Sequence, residues 1–208
     1  MCASTSIPAI VLAAGASTRL GQPKQLLRLH GAQETLLEHT LRVARDAELQ
    51  PVYVVLGAQA EAIAAATNLQ GATVLHNAEW PEGMASSIRC GLRAVQSEMP
   101  EAAGVLLLVC DQPALTSEHL RAMLAAHQAE PEAIVTSHYA GANGVPLLAP
   151  RALFADLAAL TGDRGARALL RETALRMVEV PFPRGEWDMD TIADLSAERG
   201  GAKQRQRH

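Results

Sequence analysis

The chain has 208 residues, 49% of them hydrophobic, enough for one α/β domain whose core needs no disulfide or metal staple. A formal charge of −4 and an aromatic content of 3% argue against a basic or stacking surface for nucleic acid. Cys2, Cys90 and Cys110 are odd in number and widely spaced, which implies neither a disulfide framework nor a CxxC metal site and reads as a reduced, cytoplasmic chain.

Residues 1–7 read as a flexible N-terminus, 8–198 as a single domain, and 199–208 as a disordered basic tail. No charged segment followed by an apolar one opens the chain, and the longest apolar run, Val105 to Cys110, is too short to span a bilayer. Neither export nor a membrane partner is therefore expected.

Ile10, Val11 and Leu12 end the first predicted strand, Ala9 to Leu12. The small residues Ala13, Ala14, Gly15, Ala16 and Ser17 follow, and they allow backbone N–H groups to approach an anion closely. Arg19 and Lys24 supply positive charge, Gly21 relaxes the turn between them, and Pro23 keeps Gln22 out of helical geometry. Lys24 is thus expected on an extended segment of a polyphosphate cradle. The spacing is neither that of a Walker loop nor that of a G-x-G-x-x-G fingerprint.

Further along, a helical stripe runs over Leu36, Leu37, Thr40, Leu41, Val43 and Ala44. It is followed by a strand at Val52 to Leu56, a helix at Ala60 to Ala66 and a strand at Thr73 to Leu75. A helix at Ser86 to Gln96 precedes the strand Val105 to Val109, and Leu120, Met123, Leu124 and His127 mark the next helix. Ala133 to Ser137 reads as a strand, Gly141 to Pro146 as an irregular excursion, Arg151 to Leu160 and Ala166 to Glu172 as helices, and Met177 to Val180 as a strand. Such alternation predicts a three-layer αβα sandwich around a mostly parallel, Rossmann-like sheet.

Ligands of open parallel sheets bind beyond the carboxyl ends of the strands, so the cradle and Asp111-Gln112-Pro113 should share one crevice. A carboxylate at that place suits Mg²⁺, whereas Thr116 and Ser117 are better placed than Asp111 to cap the next helix. Asp188 and Asp190 point the same way if extended, and Asp190 is the preferred second ligand. Gly162 to Arg167 reads either as a helix start with surface charges or as an anion site. Seven histidines show no zinc spacing, and Cys110 reads as a buried small hydrophobe.

Leu12 to Lys24 resembles the signature LAAGxSxRMGxxK of the MobA-like nucleotidyltransferases, and most closely that of the molybdenum cofactor cytidylyltransferases, with Leu20 in place of Met. Asn77 to Gly91 is similar to NxxWxxGMxSSIRxG, Asp111-Gln112-Pro113 to a metal-binding DQP, Gly162 to Arg167 to GDxGAR, and Asp188 to Thr191 to DxDT. Gly141 to Pro146 resembles GxxGxP, with Val145 at a commonly polar position, and Ile192 stands where the family carries Pro.

The resemblance implies a nucleotide-diphospho-sugar transferase type of fold and transfer of CMP from CTP to molybdenum-loaded molybdopterin with release of pyrophosphate. It implies nucleotide contacts from Leu12, Ala13, Ala14, Gly15, Arg19, Lys24, Ser86, Ser87 and Asp111, the two serines capping their helix. Arg19, Lys24 and Asp111 would be catalytic, Mg²⁺ would sit on Asp111 and Asp190, and Gly144, Asp163, Arg164 and Arg167 would take the pterin substrate. Ala14 and Gln22 stand where the guanylyl branch carries glycine, which favours cytidine. The alternatives are a guanylyltransferase, a sugar-phosphate nucleotidyltransferase, or a non-catalytic carrier that hands the cofactor to a molybdenum hydroxylase.

Overall fold

A computed structural model describes residues 6–18, 20–28 and 32–188. Arg19, Asp190, most of the N-terminal lead-in and the basic tail lie outside the described residues.

Seven strands form one sheet: β1 (Ala9–Ala13), β2 (Val52–Leu56), β3 (Thr73–His76), β4 (Gly104–Val109), β5 (Ile134–Tyr139), β6 (Ala142–Pro150) and β7 (Met177–Pro181), in the order β3-β2-β1-β4-β6-β5-β7. Parallel pairing joins β3, β2, β1 and β4, and also β5 with β7; β6 is antiparallel to both β4 and β5. One reversed strand therefore sits in an otherwise parallel sheet.

The described helices are α1 (Leu36–Asp46), α2 (Ala60–Ala66), α3 (Met84–Glu98), α4 (Ser117–Ala129), α5 (Phe154–Ala158) and α6 (Ala166–Leu169). Two apolar clusters show how they are layered. Ala9, Val11 and Ala13 of β1 point to the cluster that holds Leu37, Leu41, Ile63, Leu120 and Met123 from α1, α2 and α4. Ile10 points the other way, to Ile88, Leu92, Leu157 and Ala166 from α3, α5 and α6. Because both faces are covered, the central strands are apolar throughout, which is why they stand out as continuous runs in the sequence.

Local chemistry fixes the helix starts. Thr35 caps α1 in a reciprocal box with Glu38, its Oγ1 accepting from Glu38 N–H at 3.2 Å while Glu38 Oε2 accepts from Thr35 N–H at 2.7 Å. Thr116 caps α4 by accepting from His119 N–H at 3.2 Å, which leaves Asp111 out of that role.

Three expectations are corrected. Gly141 to Pro146 is no irregular excursion: Ala140 and Gly141, at φ 47° and 71°, form a two-residue hairpin turn from β5 into β6. Pro146 is accommodated because the β5–β6 register shifts between Thr136 and Ser137. The helix expected at Arg151 to Leu160 is a 3-10 turn, Arg151–Leu153, followed by the short α5, and the helix expected at Ala166 to Glu172 ends at Leu169.

Candidate active site

Leu12 of β1 lies in register with Val109 of β4, so the segments leaving these strands begin side by side. They open onto a cleft of about 450 Å³ lined by both of these residues together with Ala14, Gly15, Lys24, Trp80, Met84, Ser87, Asp111 and Asp163. The cradle and Asp111 thus share one crevice, as the strand-end rule requires.

The loop after β1 is held by its own polar side chains. Gln25, fully buried, donates from Nε2 to the carbonyl oxygens of Ala13 at 2.7 Å and Gly15 at 3.1 Å. Ser17, at φ 52°, accepts from Lys24 N–H at 3.0 Å. Ala58 N–H donates to Ala14 O at 3.0 Å, tying the loop to the exit of β2. These bonds fix the backbone around Gly15, where a Cβ would meet no protein atom within 4 Å. The space before Gly15 belongs to the cleft, as a close-approaching anion requires.

Lys24 does not leave an extended segment. It opens a single 3-10 turn, Lys24–Leu26, because the proline restriction falls on Gln22 while Pro23 itself, at φ −59° and ψ 117°, serves as the residue before the turn. From there Lys24 Nζ donates to Asp111 Oδ2, with only 21% and 16% of the two side chains exposed. Beside them the Cys110 thiol is pushed up to about 12, by burial first and by the Asp111 carboxylate second, which suits a packing role and not a nucleophile.

The opposite wall comes from α3 and the loop before α6. Ser86 and Ser87 do not cap α3, which starts two residues earlier after Gly83 and has no side-chain cap. Ser86 is fully buried and donates to Gly83 O at 2.9 Å. Asn77 donates to Ser86 Oγ at 2.8 Å and to Ser87 Oγ at 3.1 Å, and of the two serines Ser87 reaches the cleft. Arg89 clasps both oxygens of Glu82, at 2.9 and 2.6 Å, and holds that carboxyl below its ordinary range. Its guanidinium also donates to Leu160 O at 2.6 Å, Gly162 N–H donates to Glu82 Oε1 at 3.1 Å, and Ala85 N–H donates to Gly162 O at 3.1 Å.

The four residues expected to take a second substrate separate into three places. Asp163 lies on the cleft wall, against Gly83. Arg167 donates to Asn143 O at 2.8 Å, beside Gly144, whose missing side chain makes room for the Tyr139 hydroxyl. Arg164 pairs with Glu172 at 2.5 Å on the surface.

Gln112 joins these parts to the C-terminal segment, donating to Val145 O at 3.1 Å and to Gly185 O at 2.9 Å. Trp187 packs beside Leu20, Leu27 and Leu36, so the segment carrying Asp188 is docked on the cradle loop. Gln25 is a structural participant absent from the sequence reading, and Ser17 and Gln112, named there as motif members, take bonding roles it did not give them. The signal for Gln25 was a polar residue directly before the apolar pair Leu26-Leu27.

A cation and a carboxylate meeting at the strand ends of an α/β sheet mark the place where such folds bind their ligands. The chain belongs to the MobA-like nucleotidyltransferases: the family described as MobA-like NTP transferase domain matches residues 9–178. Nicotine blue oxidoreductase of Paenarthrobacter nicotinovorans is 31% identical over 91% of this chain and 94% of its own length. The purine catabolism protein PucB of Bacillus subtilis is 33% identical over 88% and 89%. Among solved structures, Rv0371c of Mycobacterium tuberculosis H37Rv is 35% identical with a TM-score of 0.80, covering 94% of this chain and 98% of that one. The same protein in complex with manganese is 33% identical with a TM-score of 0.76, covering 93% and 98%. No helix among the described residues is long and apolar enough to cross a membrane.

Proposed function

We propose that the protein is a molybdenum cofactor cytidylyltransferase of the cytoplasm. A terminal phosphate oxygen of molybdenum-loaded molybdopterin attacks the α-phosphorus of CTP, the bond to the β-phosphate oxygen breaks, and pyrophosphate leaves. The observation that carries this reading is the meeting of Lys24 and Asp111 at the mouth of a cleft backed by the open face of Gly15.

Transfer of this kind depends on positioning and on neutralising charge at the phosphate oxygens. Lys24, with Arg19 from outside the described residues, clamps the triphosphate, while the backbone from Leu12 to Gly15 and the Ser87 hydroxyl hold the nucleotide. Asp111 offers the hard oxygen donor that Mg²⁺ requires, and Asp190, two residues beyond the docked Asp188, is its proposed partner. When bound, the ion supplies positive charge to the phosphate oxygens. Gly144 and Arg167, gathered at the β5–β6 hairpin, face the second substrate. The product then passes to a molybdenum hydroxylase.

Cytidine over guanosine rests on Ala14 and Gln22. Ala14 lines the cleft, with its side chain against Gly57 at the exit of β2. The test is pyrophosphate release with each nucleoside triphosphate and molybdenum-loaded molybdopterin. Release with CTP alone is expected. Release only with GTP would reassign the base, and release with a sugar phosphate and no pterin would reassign the substrate. Redox turnover instead of pyrophosphate release, as the name of the Paenarthrobacter relative suggests, would overturn the reading.

A further inference from the structure

We infer that Asp163 reads the nucleobase, accepting a hydrogen bond from its exocyclic amino group and so selecting an amino-bearing base over uracil. The inference rests on the nucleotidyltransferase reading above and replaces the expectation that Asp163 meets a phosphate of the second substrate.

Two chemically different kinds of lining meet in the cleft. Lys24, Gly15 and Asp111 offer a triphosphate a cation and open backbone. Trp80, Pro81 and Met84 give the wall an apolar surface, with Met84 44% exposed, and Asp163 sits on that same wall. A nucleotide with its phosphates at Lys24 lays its apolar, planar base along this wall, and the carboxylate meets the base edge.

Asp163 packs against the start of α3. A Cβ on Gly83 would lie 2.4 Å from Asp163 Oδ1 and 2.6 Å from Gly162 O, so the loop and the start of α3 are in direct contact. The Glu82, Arg89 and Ala85 bonds described above hold Leu160 and Gly162, just before Asp163, to the start of α3 and the turn that leads into it. A group placed on a bonded backbone in this way can discriminate between ligand edges.

Nothing cationic neutralises it among the described residues. Arg89 is committed to Glu82, Arg164 to Glu172 and Arg167 to Asn143 O. An ionised carboxylate accepts hydrogen bonds and donates none, so it repels phosphate and favours N–H donors. Cytosine offers an amino group where uracil offers a carbonyl oxygen, and the oxygen would face the carboxylate with no proton between them.

Asp163→Asn keeps the shape and adds a donor; Asp163→Ala removes the group. Dissociation constants for CTP and UTP are measured by calorimetry on the full chain, with folding checked by circular dichroism. The native protein should prefer CTP by at least about tenfold. In Asp163→Asn the ratio should fall to near one or invert, and in Asp163→Ala it should fall without tighter binding of UTP. An unchanged ratio in both variants overturns the assignment and leaves Asp163 as a charge balancing the start of α3. Failure of the native protein to bind any nucleoside triphosphate would instead overturn the parent reading, and this one with it.

Discussion

Lys24 Nζ donates to Asp111 Oδ2, which joins the loop after β1 to the end of β4 across the mouth of the cleft. The carboxylate proposed to hold a divalent ion therefore already faces an ammonium, and the two cations compete for the same oxygen. Lys24→Met should tighten Mn²⁺ binding in the absence of nucleotide by about tenfold, near 1.4 kcal/mol, read by electron paramagnetic resonance. It should also lower kcat by about a hundredfold or more. Unaltered Mn²⁺ affinity in the folded variant would count against Asp111 as a ligand.

Gln25 is buried, and its side-chain amide satisfies two carbonyl oxygens of the cradle. Gln25→Leu removes that donor while keeping similar bulk, which should cost about 1 to 3 kcal/mol of stability. A fall in Tm of several degrees is expected, with a rise in KM for the nucleotide larger than any fall in kcat. Equal KM in variant and native enzyme would show that the staple serves folding alone.

Gly83 sits at φ 122°, and a side chain there meets both Asp163 and Gly162 O. Gly83→Ala combines backbone strain of about 1 to 3 kcal/mol with a forced shift of the loop before α6. Lower Tm together with weakened nucleotide binding is expected. Calorimetry on the same preparation separates the two effects.

His119 stacks on Phe182 at a centroid distance of 4.4 Å, and its Nε2 lies 2.8 Å from Ser137 Oγ. Burial lowers its pKa to about 4, against a smaller opposing effect of the Pro181 carbonyl. Between the unfolded value near 6.5 and the folded value, the unfolded chain binds a proton that the folded chain refuses. This contribution to stability is therefore complete above about pH 6.5 and declines as pH falls towards 4. Urea titrations at stepped pH should show the decline, and His119→Gln should flatten it.

Much of the fold was legible because both faces of the sheet are covered. Of the six expected strands, β1, β2, β4 and β5 are largely buried and stand as apolar runs, whereas the capping box of Thr35 and Glu38 emerged only with the structure. Strand β6 was hidden because Gly144 and Pro146 look like breakers, and only the register shift opposite them explains why they are tolerated. In the site, the cradle and Asp111 could be placed in one crevice from the strand-end rule, while their direct contact through Lys24 could not be foreseen. Nor could the bonds of Gln25, Ser17 and Gln112, since their side chains bond backbone groups that come near only after the loops have closed. Ser86 and Ser87 were misread as caps because Gly83, with no side chain to contribute, is where α3 begins.

Leu20, Leu27 and Leu36, with Trp187 against them, form an apolar group separate from the two that sandwich the sheet. So small a group gives local opening a lower free-energy cost than unfolding the sheet beneath it. The cradle and the segment leading to Asp188 share that group, so they form one cooperative unit: in hydrogen exchange their amides should be released together, ahead of those in β1 and β4. A nucleotide gripped by both would slow the pair as one.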